Sequence, residues 1–67
     1  MNWDDLRYFL ALARARTVSA AGRDLSVKHT TVARRIAALE ARLGTRLFDH
    51  LRDGYAMTQA GEDLYQH

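Results

Sequence analysis

The stretch AAGRDLSVKHTTVARRI, residues 20–36, decides how this chain is read. Val18, Ala21, Gly22 and Leu25 fall on one side of a short helix, with Thr17 placed to cap its first free amides. Ser26 and Val27 leave room only for a sharp connection. Beyond it, Val32, Ile36, Leu39 and Leu43 form the apolar stripe of a longer helix, running from about residue 28 or 29 to 43. Gly22 costs a helix about 1 kcal/mol relative to alanine, so a second backbone is expected to pass close to it. Two helices meeting steeply across such a turn make a helix-turn-helix. Gly44 is the expected C-terminal stop.

Outward from this unit, the N-terminal segment carries Leu6, Phe9, Leu10 and Ala13 on one helical stripe. Asn2 stands at the cap, with Asp5 three residues later near the positive helix end. Trp3 is expected to cover the edge of the core, and Trp3, Phe9 and Phe48 to be packing residues. After Gly44 the period changes. Residues 47–52 and 55–58 flank Asp53 and Gly54, and Asp-Gly between two short runs predicts a type I′ hairpin turn. Leu47 and Phe48 are expected in the core, with Tyr55 and Met57 sharing one face. A two-stranded hairpin is marginal alone, so it must pack on the helices. Thr58 then caps a last helix, whose opening turns hold Glu62 and Asp63. The sequence stops at His67, hardly two turns later, and reads as a fragment cut inside that helix. The predicted fold is mainly α: a winged helix-turn-helix with a three-helix core, a two-stranded wing and the start of a fourth helix.

A chain of 67 residues is one small domain. It has no cysteine, hence no disulfide and no thiolate metal site. No apolar run approaches the ~20 residues of a membrane span, and no signal peptide opens the chain. His29, His50 and His67 lack metal-ligand spacing, so no metal site is expected. There is no Gly-rich phosphate loop and no recognisable nucleophile pattern, so no catalytic residues and no enzyme activity are expected. The formal net charge is +2, but it is unevenly spread. All ten cations lie between Arg7 and Arg52, against three acids there: Asp24, Glu40 and Asp49. Nine of the ten are arginine, whose planar fork matches phosphates and guanine edges. Such a basic segment with acidic flanks suits a polyanionic partner.

The face of the third helix opposite its apolar stripe carries Thr30, Arg34, Ala37 and Ala41. Small side chains there let the helix lie deep against another surface. The helix-turn-helix angle presents the first half of that helix to a major groove. Its start offers Lys28, His29, Thr30, Thr31, Arg34 and Arg35, where hydroxyls and open amides bind phosphate oxygens. Arg34 points away from the core and is the first choice for a groove contact. Arg35 lies more to the side and meets either a phosphate or an acid such as Glu40. Thr17 is within reach of a phosphate, and Arg52 at the hairpin tip reaches the backbone or the minor groove. Arg7, Arg14 and Arg23 are read as general surface charge, and His50 as structural or solvated. A protein-interaction winged helix, or a winged helix from another regulator family, shares this topology. The Thr, Ala and Arg of the outer face favour duplex DNA over a protein partner.

Residues 9–61 resemble the DNA-binding domain of LysR-type bacterial transcriptional regulators. The resemblance rests on Phe9, Ala20-Ala21, Leu25, Val27, Val32, Arg34, Ile36, Leu39-Glu40, Leu43-Gly44, Leu47-Phe48, Thr58 and Ala60-Gly61. It implies a DNA-binding head over residues 1–58 and, over 59–67, the start of a linker helix that pairs two subunits, with Leu64 and Tyr65 as dimerisation residues. It also implies a double-stranded operator as partner, a homodimer or a tetramer in the full-length protein, RNA polymerase as a further partner, no membrane, and a cytoplasmic, nucleoid-associated location. No cofactor is expected in this segment; a small-molecule effector would bind a C-terminal domain. The chain departs from the family pattern where Lys28, His29 and Thr30 stand for a common Ser-Gln-Pro. Ala33 replaces a serine that often contacts DNA. Asp53 takes the place of a wing arginine, with Arg52 one step earlier; Gln59 replaces a common proline and Arg16 a glycine.

Overall fold

Asn2 starts the first helix with a reciprocal cap. Its side chain accepts from the Asp5 amide at 2.8 Å, while its own amide donates to the Asp5 carboxylate at 3.4 Å. In the computed structural model, which describes residues 1–66, six elements follow in chain order: α1 (Trp3–Ala15), α2 (Val18–Leu25), α3 (His29–Leu43), β1 (Phe48–Leu51), β2 (Gly54–Met57) and α4 (Gln59–Tyr65). His67, the final residue of the expected linker segment, lies outside the described residues. Thr17 caps α2 by accepting from the Ala20 amide at 3.1 Å, and Gly44 closes α3 in the left-handed region at φ 67°.

The three helices enclose one core. Phe9 and Leu12 of α1, Val32 and Leu39 of α3, and Leu47 just before the hairpin are its most deeply buried large side chains. Phe48 completes it, with its ring centroid 5.4 Å from that of Phe9. The turn between α2 and α3 is held by main-chain atoms. The Val27 amide donates to the Gly22 carbonyl at 2.8 Å, and Ser26 adopts the left-handed region at φ 59°. A Cβ on Gly22 would sit 2.7 Å from the Val27 carbonyl oxygen, the close backbone approach that the sequence anticipates.

Four expectations are corrected. The buried side of α1 is Asp5, Tyr8, Phe9, Ala11 and Leu12, so the stripe is turned from the expected one; Leu6, Leu10 and Ala13 are only partly buried. Trp3 is 69% exposed rather than covering the core, because it stands on the flank of α1 away from α3. Leu43 is 44% exposed, since the last turn of α3 runs past the core. The hairpin turn is made by Arg52 and Asp53, not Asp53 and Gly54. Leu51 pairs with Gly54, and neither turn residue takes a positive φ, so the turn is not type I′. Gly54 has φ 146° and sits where a Cβ would lie 2.5 Å from the Arg16 carbonyl oxygen. Docking of the hairpin on the α1–α2 joint, rather than turn chemistry, accounts for the glycine.

Asp5 is the one buried charged side chain among the described residues. Arg42, from the last turn of α3, bonds its carboxylate and ties the two helices together. That bond, helped by the Asn2 amide and opposed by desolvation, holds the Asp5 carboxyl below its usual range.

Candidate nucleic-acid interface

The start of α3 is open. Lys28 occupies the cap position and makes no side-chain cap bond, as expected for a residue that cannot accept one. The Thr31 amide donates to the Lys28 carbonyl at 3.0 Å, which leaves the His29 and Thr30 amides without a cap at the positive end of the helix. Lys28, His29 and Thr30 are exposed and Thr31 is half-buried. Further along, Ala33, Arg34, Ala37 and Ala41 are all exposed, so the outer face predicted from the apolar stripe is the outer face observed. Arg34 makes no ion pair among the described residues.

Arg35 is placed differently. It is half-buried and turned onto α1, with a nitrogen 3.5 Å from Asp4 and its guanidinium 4.9 Å above the Tyr8 ring. Its Nε is buried without a hydrogen-bond partner. The acid that Arg35 meets is Asp4, not Glu40. Thr17 is half-buried with its hydroxyl committed to capping α2. Arg52 is exposed at the hairpin tip, apart from the α3 group.

What fixes the hairpin beside α3 is a set of polar contacts that local pattern does not reveal. Glu40, at the start of the last turn of α3, accepts from the Leu47 amide at 2.7 Å and the Phe48 amide at 3.1 Å. The Tyr55 amide donates to the Arg16 carbonyl at 2.7 Å. The Thr58 amide donates to the Leu47 carbonyl at 2.9 Å, and its hydroxyl donates to the Arg46 carbonyl at 2.7 Å while accepting from Gly61. The hairpin is therefore anchored to α3, to the α1–α2 joint and to the start of α4. A groove of about 240 Å³ separates α3 from the hairpin, lined by Ala33 and Ala37 on one wall and by Arg46, His50 and Tyr55 on the other. Nothing in the periodicity of the sequence pointed to Glu40, Arg46 or Tyr55 as residues that shape this face.

The two residues expected in subunit pairing are split. Leu64 is half-buried and packs on the core of its own domain, whereas Tyr65 is 43% exposed with its ring centroid 6.5 Å from that of Phe9. Among the described residues, no group of three or more His, Cys, Asp or Glu is placed to hold a metal, and no helix is long and apolar enough to cross a membrane.

A family model described as a bacterial regulatory helix-turn-helix protein, lysR family, matches residues 3–62. The HTH-type transcriptional regulator BudR of Raoultella terrigena is 40% identical over 60 residues, which is 90% of this chain and 21% of that protein. The Mau operon transcriptional activator of Paracoccus denitrificans is 50% identical over 48 residues, 72% of this chain and 17% of that protein. Among solved structures, the crystal structure of the CbnR_DBD-DNA complex matches with a TM-score of 0.93 and 35% identity, covering 98% of this chain and 76% of that one. The chain thus spans about a fifth of the length of these curated relatives.

Proposed function

Because the chain belongs to the lysR family of bacterial regulatory helix-turn-helix proteins, we propose that it binds double-stranded DNA sequence-specifically, as the N-terminal module of a transcriptional regulator. The observation that carries this reading is the outer face of α3. It is exposed, built of small residues around one unpaired arginine, and continuous with a helix start that has no side-chain cap and carries Lys28. Its likeness to a domain solved on DNA supports the same reading.

In the proposed mode the first half of α3 enters the major groove. Ala33, Ala37 and Ala41 let the helix backbone approach the base pairs, and Arg34 offers its fork to a guanine edge. His29 and Thr30 face the groove from the first turn, while Lys28 and Thr31 meet phosphates together with the open amides. Thr17 adds a phosphate contact from the start of α2. Arg52 follows the backbone or the minor groove at the hairpin tip. Arg35 is the weakest member of the set, because reaching a phosphate would cost it Asp4 and Tyr8.

The rest of the reading comes from family membership. Residues 1–58 form the DNA-binding head, and residues 59–67 begin the helix through which two copies pair, Tyr65 being the better placed of the two pairing candidates. The full-length regulator acts as a dimer or tetramer in the bacterial cytoplasm, senses a small molecule through a C-terminal domain, engages RNA polymerase, and is not an enzyme.

Selection from a random duplex pool, repeated at two salt concentrations, tests the proposal. Recovery of a two-fold symmetric motif, with binding that weakens steeply as salt rises, is the expected result. No enrichment over bulk duplex at either salt would overturn it in favour of a protein-binding winged helix.

A further inference from the structure

The side chains of His50 and Tyr55 have no part in the duplex contacts proposed above. They are cross-strand partners in the hairpin, and their rings stack with centroids 4.3 Å apart and planes within 4° of parallel. Tyr55 is half-buried and meets Phe48 edge-on at 6.4 Å, so it is fixed to the core. The exposed imidazole of His50 is laid on that platform and faces the groove whose other wall is Ala33 and Ala37 of α3. Neither alanine can bridge the groove.

The other charged groups around this groove are engaged within the protein. Glu40 of α3 accepts the Leu47 and Phe48 amides. Arg46 bonds Asp49 at 2.6 Å and the Phe48 carbonyl at 3.2 Å. No hydrogen bond or ion pair engages the ring nitrogens of His50 among the described residues. Tyr55 contributes a π face, which favours a cation above it.

We propose that His50 is a DNA contact of the wing, donating from its imidazole to a phosphate oxygen of the strand that passes between α3 and the hairpin, and that this contact makes duplex affinity depend on protons. The inference rests on the duplex-binding reading of α3. An imidazolium bonds a phosphate more strongly than a neutral ring does. The bound complex therefore holds the proton more tightly than the free protein. By linkage, ring protonation and phosphate binding favour one another, so affinity falls as pH rises.

The test measures anisotropy of a fluorescein-labelled duplex, recovered by selection with this chain, at pH 6 and pH 8 and fixed ionic strength. The parent is expected to bind about fivefold more tightly at pH 6, the gain of one charge-assisted bond over a neutral one. H50Q loses that ratio, and H50R binds tightly at both pH values. H29Q weakens binding overall but keeps the ratio, which separates the two histidines. Equal parental affinity at both pH values, or an H50Q variant that keeps the parental ratio, overturns the proposal. Should H50Q prove poorly folded, H50R decides: a persistent pH ratio in that variant also overturns it. Absence of duplex binding at either pH is a distinct result, which removes the underlying reading and this inference with it.

Discussion

Replacing Glu40 with alanine should loosen the hairpin from α3 and unfold much of the molecule's margin of stability. Its carboxylate accepts the amides of Leu47 and Phe48, on residues that are only 2% and 5% exposed. Water reaches those amides poorly once the carboxylate is gone. Each buried donor left unmatched costs about 1–3 kcal/mol. Glu40 is itself half-exposed, which lets solvent recover part of the loss, so the lower half of that range applies and the pair amounts to about 2–4 kcal/mol. In a domain of this size each kcal/mol moves the midpoint by roughly 4–8 °C. The Glu40→Ala variant should therefore melt at least about 8 °C below the parent. Glu40→Gln keeps an acceptor oxygen and loses only the charge assistance, about 1 kcal/mol. Far-UV circular dichroism is the right probe, because Trp3 is too exposed for its fluorescence to report the core. An alanine variant that melts with the parent, or a glutamine variant as unstable as the alanine one, would refute the argument that these two bonds anchor the hairpin.

Three further outcomes are expected. Gly22→Ala should destabilise the domain by more than about 1 kcal/mol despite alanine's better helix propensity, because its Cβ would press on the Val27 carbonyl; urea titration checks this, and a stabilised variant would contradict the close approach. Arg34→Ala should leave the melting curve unchanged but cost about 1–3 kcal/mol in duplex binding, with selectivity relaxed at one base pair, as read by competition with single-site operator variants. For Asp5, whose carboxyl is held low by Arg42, the folded state binds its proton less readily than the unfolded chain does. The resulting stability is present above the ordinary carboxylate range and is lost as pH falls through Asp5's lowered folded value. Acid titration of stability should thus be shallower in Asp5→Asn than in the parent, and identical acid profiles would rule out the pairing as a source of stability.

Much of this molecule is written in short-range pattern. The caps at Asn2, Thr17 and Thr58, the stop at Gly44, the buried trio Val32, Ile36 and Leu39, and the outer face around Arg34 all follow from spacing and side-chain chemistry within a turn or two. The misreadings share a different cause. Asp5 reads as a helix-start charge, and its burial depends on an arginine 37 residues away. Glu40 reads as a surface acid or a partner for Arg35, and its true partners are amides that only the folded hairpin brings to it. Trp3 and Leu43 are large and apolar, yet they lie where the helices outrun a small core. Arg52 and Asp53 form the turn because the Arg16 carbonyl meets the Tyr55 amide, a contact between segments with no local signature. Long-range polar pairing, more than hydrophobic pattern, places the hairpin.

The distances between helix start, turn and hairpin are set largely by main-chain bonds: Val27 to Gly22, Tyr55 to Arg16, Thr58 to Leu47. None of these depends on which side chains stand at positions 28, 29, 30 or 33, all of which are exposed. The frame that holds the reading surface is thus indifferent to what the surface reads. On the duplex-binding mode proposed above, exchanges at those four positions would retune the preferred duplex while leaving the pose intact, so targets can diversify on this frame by single substitutions that cost almost nothing in folding.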